Sequence, residues 1–332
     1  MKSKEFFVEI LKSVDVRIGG DRPWDIKVHN EKLYDRVLSK GTLGLGEAYM
    51  DGWWDAPELD QFFYKVISGG LQYKIKFNLA NILAYLKSVF INLQNKSRAF
   101  DVAKKHYDLD NDLYTRMIGK TMAYTCGYWK NVKTLDDAQI AKMDLICKKI
   151  GLKPGMKVLD IGCGWGSFMK YAAEKYGVSC VGLTISQEQI KLGQEFCKGL
   201  PIEFKFTDYR DFSGEFDRVV SIGMFEAVGY KNYRVFMECV EKLLKNDGLF
   251  LLHTVGESRS MRMGNPWVTK YIFPNGMSPS LKQVAQATEG LFITEDVHNF
   301  GQYYDPTLIA WFNNFNNNWH VLKNRYDERF YR

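Results

Sequence analysis

The 332-residue chain has room for one large domain or two modest ones, and its 46% hydrophobic content is that of an ordinary globular protein, which excludes disorder as the starting assumption. No apolar run reaches about 18 residues, so no transmembrane span is expected, and Met1-Lys2-Ser3-Lys4-Glu5 opens a mixed-polarity stretch unlike a secretory leader. The formal net charge is +6, and six scattered cysteines without a C-x-x-C pair point to reduced thiols in the cytoplasm and away from a zinc site.

Residues 1–70 mix short helical and extended patterns around a turn-rich, aromatic centre running from Gly41 to Trp54. The positive charge is concentrated just downstream. Residues 72–105 carry Lys74, Lys76, Lys87, Lys96, Arg98, Lys104 and Lys105 against Asp101 alone. Leu79, Ile82, Leu83, Leu86, Val89, Phe90 and Leu93 recur there at steps of three and four. This is a basic amphipathic helix, which either lies on an anionic membrane or packs on the body with a solvated basic rim. If the helix is a packing element, the region around Trp53 and Trp54 is the alternative membrane contact. Residues 1–105 are read as a smaller, membrane-associated N-terminal domain.

From residue 106 to 332 an α/β pattern takes over. Strands are predicted at 157–161, 179–183, 202–206, 217–222, 248–253 and 292–297, with helices near 135–150, 166–176, 187–197, 231–245 and 280–289. The alternation predicts a parallel, doubly wound, Rossmann-like sheet whose ligands sit beyond the carboxyl ends of the strands. The asparagine run 313–318, flanked by Trp311, Phe312 and Trp319, reads as a helix face.

The first of these strands ends in Val158-Leu159-Asp160-Ile161-Gly162-Cys163-Gly164-Trp165-Gly166. Glycines let a backbone turn tightly and approach a ligand closely. A dinucleotide fingerprint would be G-x-G-x-x-G, but here the third glycine, Gly166, comes one residue early and Ser167 holds the expected place. An acid before G-x-G-x-G fits S-adenosylmethionine, whose methionine end carries an ammonium that Asp160 can meet. After the second strand, at Thr184 to Gln189, no acid is available for ribose hydroxyls, so a neutral side chain such as Gln189 must serve. After the third, Asp208 can accept from an adenine amino group, or Asp208 and Asp211 can simply cap a turn. The fourth strand runs into Gly223-Met224-Phe225-Glu226-Ala227-Val228-Gly229 and the fifth into His253-Thr254-Val255-Gly256. A carboxylate at an apolar strand end is costly unless paired, which singles out Glu226 together with His253. Cys126, in Tyr124-Thr125-Cys126-Gly127-Tyr128-Trp129, is either a plain buried cysteine or a nucleophile.

At these residues the chain resembles the cyclopropane fatty acid synthase family, including the mycolic acid cyclopropane synthases. The likeness runs nearly end to end. It takes in Gly44 to Trp54, His106 to Leu109, Tyr124 to Cys126, Val158 to Gly166, Gly223 to Gly229, Leu251 to Thr254 and Tyr271 to Gly276. The resemblance implies an S-adenosylmethionine-dependent enzyme that cyclopropanates unsaturated acyl chains of membrane phospholipids. It implies cofactor contacts from Tyr124, Thr125, Gly162 and Gln189, to which the loop reading adds Asp160, Gly164, Gly166, Thr184 and Asp208. It also implies a bound bicarbonate, caged by Cys126, Glu226, His253, Tyr304 and the backbone at Val255. Methyl transfer to a double bond leaves a carbocation, which Tyr124, Phe225, Trp267, Tyr271 and Tyr304 are candidates to stabilise, while the bicarbonate acts as base.

Three departures from the family are expected to matter. Ala227 stands where a histidine is usual, Asp110 where a glycine is usual, and the chain ends at Arg332, before a last antiparallel strand that relatives place beside the fifth. The chain reads as C-terminally truncated. The alternatives are a lipid C-methyltransferase leaving a methyl branch and an inactive lipid- or cofactor-binding remnant. The expected partners are the phospholipid surface, at the inner face of the membrane, and a second copy of the chain in a homodimer; no nucleic-acid partner and no metal are expected.

Overall fold

The computed structural model describes residues 2–71, 92, 94, 96 and 111–332. All but three positions of the basic stretch 72–105 lie outside the described residues, as do Asp110 and the expected boundary at 105. In chain order the elements are α1 (Lys2–Lys12), β1 (Lys27–Val28), α2 (Lys32–Met50), β2 (Trp54–Asp55), α3 (Leu59–Ser68), α4 (Asn111–Ile118), α5 (Leu135–Lys149), β3 (Lys157–Ile161), α6 (Ser167–Tyr176), β4 (Ser179–Thr184), α7 (Gln187–Phe196), β5 (Ile202–Phe206), β6 (Phe216–Ile222), α8 (Tyr233–Leu243), β7 (Leu244–His253), α9 (Pro266–Tyr271), α10 (Leu281–Thr288), α11 (Tyr304–Leu322) and α12 (Glu328–Tyr331). No described helix is long and apolar enough to cross a membrane. The chain divides into two units, one of Met1–Ile91, Asn265–Ile272 and Val321–Arg332, the other of Asn92–Gly264 and Phe273–His320.

The first unit packs α1, α2 and α3 around Phe7, Leu11, Ile26, Leu33, Val37 and Phe62. Trp54 is wholly buried among them and its Nε1 donates to the Leu45 carbonyl at 3.0 Å, so it is a core residue and not a membrane contact. Glu47 on α2 is a buried acid that accepts hydrogen bonds from Lys270 at 2.5 Å, Tyr271 at 2.9 Å and Arg36 at 3.0 Å, with Lys40 at 3.7 Å as a further ion pair. Burial pushes its carboxyl up, but these bonds outweigh burial and bring it down to about 2.

The second unit holds a five-stranded parallel sheet of order β5-β4-β3-β6-β7. Side chains alternate across the pleat. Val158, Cys180 and Val220 face a core built with α5 and α6, whereas Leu159, Val181 and Val219 face one built with α8 and α10. Both faces are therefore apolar, as expected of parallel strands covered on each side by helices. The helices begin where their caps are: Thr134 accepts from Asp137 N, Ser186 from Gln189 N, and Ser280 and Gln283 form a reciprocal capping box.

Five of the six predicted strands form. The sixth, 292–297, does not: the segment is irregular, and Ile293 is 92% exposed. A strand needs a ladder partner, and among the described residues β7 pairs with β6 alone. The local sequence of a segment cannot supply that partner. β7 itself begins at Leu244, four residues before the predicted start, through an irregular register opposite Phe216 and Arg218. The asparagine run 313–318 lies within α11, as its aromatic flanks predict.

Candidate active site

β3 carries Asp160 into the interior, where it is 2% exposed and its Oδ1 has no hydrogen-bond partner. Burial pushes this carboxyl up to about 7. The loop that follows is tied to β4 by Gly162 and Cys163, whose N–H groups donate to the Leu183 carbonyl at 2.9 and 3.1 Å. All three loop glycines have left-handed φ, but they differ in surroundings. A Cβ on Gly162 would meet Met224 at 2.4 Å and one on Gly166 would meet Phe204 at 2.7 Å, whereas one on Gly164 would meet nothing within 4 Å. Gly164 therefore marks the open side of the loop, the side from which a ligand can approach the backbone. An unpartnered buried acid beneath an open glycine turn suits a ligand that brings both a cation and a close-packed body.

The end of β4 contributes a preformed amide. The Thr184 hydroxyl donates to Gln189 Oε1 at 2.6 Å, and both side chains are buried. This orients Gln189 and leaves its Nε2 as the donor for a ligand's hydroxyl oxygens. Asp208, after β5, is more committed. It caps the short helix that follows and binds Arg210 through both oxygens at 2.7 Å. Asp211 pairs with Lys96 at 2.5 Å. The capping alternative for Asp208 is thus realised, and any ligand contact by it must share oxygens already held by Arg210.

Glu226 and His253 follow neighbouring strands. Ile222 and His253 are register partners, and Glu226 Oε1 accepts from Val255 N at 2.6 Å. The Val255 N–H, expected to face an anion, is therefore bonded to Glu226 here. Glu226 Oε2 and His253 Nδ1 are both buried without a partner. Burial pushes Glu226 up; the N–H of Val255 and the hydroxyl of Thr254 oppose it less strongly. Burial, then the charge of Lys142, brings His253 down to about 3, so it is neutral at physiological pH. Its ring stacks on Phe300 at 5.5 Å. Tyr304, at the start of α11, is raised by burial and next by the charges of Glu226 and Cys126, which places all three in one electrostatic neighbourhood. The Cys126 thiol is buried and raised chiefly by that burial. A raised thiol is a poor nucleophile, which disfavours the nucleophile alternative. Ala227 is exposed beside Glu226.

An aromatic wall joins the glycine loop to Tyr304. Trp165 meets Tyr114 at 5.2 Å, Tyr114 meets Tyr124 at 5.4 Å, Tyr124 meets Trp311 at 5.1 Å, and Trp311 meets Tyr304 at 6.3 Å. Tyr124 and Tyr304 are thus brought together with the loop. Phe225 is not among them: it is wholly buried and stacked on Tyr233 at 4.3 Å, a packing residue of the core. Trp267 and Tyr271 belong to the first unit, where they donate to Met50 and Glu47.

Two buried polar side chains on α5 escaped the sequence reading. Gln139 donates to the Thr125 carbonyl at 2.7 Å, and Lys142 donates to Thr125 Oγ1 at 2.5 Å. The signal was present. Leu135, Ala138, Met143, Ile146 and Cys147 define a buried stripe at helical spacing, and Gln139 and Lys142 fall within it.

Residues 94–332 match the family described as mycolic acid cyclopropane synthetase. The chain is 49% identical over 324 residues to the cyclopropane-fatty-acyl-phospholipid synthase of Escherichia coli strain K12, covering 98% of this chain and 85% of that protein. Among solved structures it is similar to the cyclopropane synthase MmaA2 from Mycobacterium tuberculosis, at 31% identity and a TM-score of 0.65 over 70% of this chain and 88% of that one. It is likewise similar to mycolic acid cyclopropane synthase CmaA1 complexed with SAH and CTAB, at 33% identity and a TM-score of 0.64 over 70% and 89% of the two chains. With the glycine loop, the parallel sheet and these matches in agreement, the chain belongs to the mycolic acid cyclopropane synthetase family of S-adenosylmethionine-dependent transferases.

Proposed function

We propose that this chain transfers a methylene group from S-adenosylmethionine to the cis double bond of unsaturated acyl chains in membrane phospholipids, closing a cyclopropane ring, with bound bicarbonate taking the proton released. The observation that carries this reading is the set of unpartnered buried atoms at the carboxyl ends of three adjacent strands: Asp160 Oδ1 on β3, Glu226 Oε2 in the turn after β6 and His253 Nδ1 at the end of β7. Such atoms cost about 1–3 kcal/mol each unless a ligand satisfies them. The fit to the cofactor rests on the orphaned acid and the open face of Gly164. Asp160 would meet the ammonium, Gly162, Gly164 and Gly166 would let the backbone approach, Thr184 and Gln189 would address the ribose, Asp208 the adenine, and Tyr124 and Thr125 the methionine end. When bound, the cofactor supplies an electrophilic methyl group.

The residues of this chain do the rest. An unactivated double bond is a poor nucleophile, so orientation is the first requirement. Tyr124, Trp311 and Tyr304 line an apolar wall that excludes water and presents π faces to a cationic carbon, at ~0.5–2 kcal/mol per contact. Burial raises the proton affinity of Glu226 and so favours the protonated form, the one that would donate from Oε2 to an anion. Neutral His253 and the Tyr304 hydroxyl complete a donor set for bicarbonate, with Cys126 closing the cage. Bicarbonate held by Glu226, His253, Tyr304 and Cys126 would supply a general base for the proton lost as the ring closes. The lipid surface is read as the partner, with peripheral attachment through the basic stretch.

The test is mass spectrometry of phospholipids from cells expressing the chain. Acyl chains heavier by one CH2 and lacking the original double bond support the proposal. A methyl-branched product of the same added carbon supports the C-methyltransferase alternative, and unchanged lipids from a folded chain refute both.

A further inference from the structure

Lys142 is the least expected group in the second unit. It is 2% exposed. Two of its three donors are spent on Thr125 Oγ1 and Gln139 Oε1, each at 2.5 Å, and both acceptors are neutral. Among the described residues no carboxylate pairs with it: burial and Cys126 alone act on its charge. A buried charge without a counter-ion is expensive, and burial brings this lysine down to about 7. The chain nevertheless invests in holding it. Gln139, wholly buried, turns its Nε2 to the carbonyls of Thr125 at 2.7 Å and Ala123 at 3.3 Å and its Oε1 to the lysine. Two side chains one helical turn apart thus grip the segment that carries Tyr124, Thr125 and Cys126.

The titratable groups that feel this lysine come from two other elements. The loop before α5 supplies Cys126, whose thiol the lysine charge draws down against the larger upward push of burial. The end of β7 supplies His253, lowered first by burial and then by the same charge. Lys142 therefore lies electrostatically behind two walls of the anion cage while touching the hydroxyl assigned to the cofactor's methionine end.

We propose that Lys142 is the counter-cation of the anion cage, a positioning residue whose protonation and bicarbonate binding are one coupled event. The inference rests on reading that cage as a bicarbonate site. An anion beside Cys126 and His253 gives the ammonium the counter-charge the chain does not provide, so the lysine keeps its proton, and the charge it keeps holds the anion. The proton released in ring closure goes to bicarbonate and not to Nζ, which stays protonated and is not the base. Because Nζ donates to Thr125 Oγ1, the Thr125 hydrogen is directed elsewhere and is free to donate to the methionine carboxylate.

The experiment measures the bicarbonate dissociation constant of the full chain, by NMR titration with 13C-bicarbonate in the absence of turnover, beside the bicarbonate activation constant, in carbonate-depleted buffer from pH 6.5 to about 8.5, corrected for the bicarbonate fraction, for wild type, Lys142→Gln and Gln139→Glu. For wild type the dissociation constant, and the activation constant with it, should rise three- to tenfold between about pH 7 and 8, as the lysine loses its proton. Lys142→Gln should raise the constant at least tenfold at pH 7 and flatten its pH dependence. Gln139→Glu, which hands the lysine an internal counter-ion, should also raise it, and this second variant tests the proposal if the first fails to fold. Bicarbonate dependence in wild type with an unchanged constant and pH profile in the folded variants overturns the role of Lys142 alone. Turnover by wild type without any bicarbonate dependence overturns the anion reading and this inference with it.

Discussion

Val255 N donates to Glu226 Oε1 at 2.6 Å, bridging the ends of β6 and β7 and turning Glu226 Oε2 to a buried position with no partner of its own. One oxygen is structural and the other is available. On the proposed reading, in which the cage acts on the transition state, Glu226→Ala should cost turnover, by a hundredfold or more, while leaving cofactor affinity within about threefold of wild type. Steady-state kinetics beside calorimetric titration of S-adenosylmethionine would check this. Equal loss in both measurements would mean that Glu226 shapes the cofactor cleft instead.

The open side of Gly164 gives a second expectation. Its φ of 55° is costly for any side chain, and a β-branched group there projects into space the surrounding chain leaves clear. Gly164→Val should lower stability by about 1–2 kcal/mol from backbone strain and weaken cofactor binding at least thirtyfold. An unaltered dissociation constant in the folded variant would remove the glycine loop from the cofactor site.

Asp160 ties affinity to pH. Its folded carboxyl holds a proton up to about 7, above the ordinary carboxylate value. Without ligand, the folded state thus binds more protons than the unfolded one between about pH 4 and 7, and this group's contribution to stability grows as pH falls through that window. Asp160→Asn removes the buried charge and should stabilise the ligand-free protein at pH 8 by up to about 4 kcal/mol. The same change should remove most of the thermal shift produced by S-adenosylmethionine. For wild type, that cofactor-induced shift should shrink as pH falls below 7. A ligand-free Asp160→Asn protein less stable than wild type at pH 8 would contradict the buried-charge account.

Glu47 shows the opposite sign. Its carboxyl is brought down to about 2, so its stabilisation is complete above the unfolded value near 4.5 and is lost as pH falls from there toward 2. Glu47→Gln should cost about 1–3 kcal/mol at pH 7, reduced by the solvent around half-exposed Lys270, and the difference from wild type should vanish near pH 2. Denaturant titrations at pH 7 and in the acid window would measure this.

For the basic stretch the expectation is electrostatic. Replacing Lys74, Lys76, Lys87 and Lys96 by Glu should abolish co-sedimentation with anionic vesicles at low salt, each basic residue near such a surface being worth ~1 kcal/mol. Binding that survives unchanged would move the lipid contact elsewhere. Trp54, a buried core residue, cannot be that contact.

Local signals were enough for much of this protein. An apolar run into D-x-G-x-G-x-G specified a strand, a turn and a helix, because only glycine tolerates left-handed φ there and because periodicity separates strand from helix. The five strands, their parallel arrangement and the position of Glu226 and His253 at strand ends were legible for the same reason. The stripe that buries Lys142 was legible too, though it was read as an ordinary helix. Other features depended on partners that no local pattern can name. Residues 292–297 read as a strand in the succession of strands and helices but form none without a neighbour. Phe225 and Tyr124 look alike in sequence, yet one ring is spent in the core and the other lines the wall from the glycine loop to Tyr304. The commitment of Asp208 to Arg210, of Val255 N to Glu226, and of Lys142 to two neutral acceptors was decided by packing alone, since burial sets which polar atoms must find a partner and tertiary contact decides which ones do.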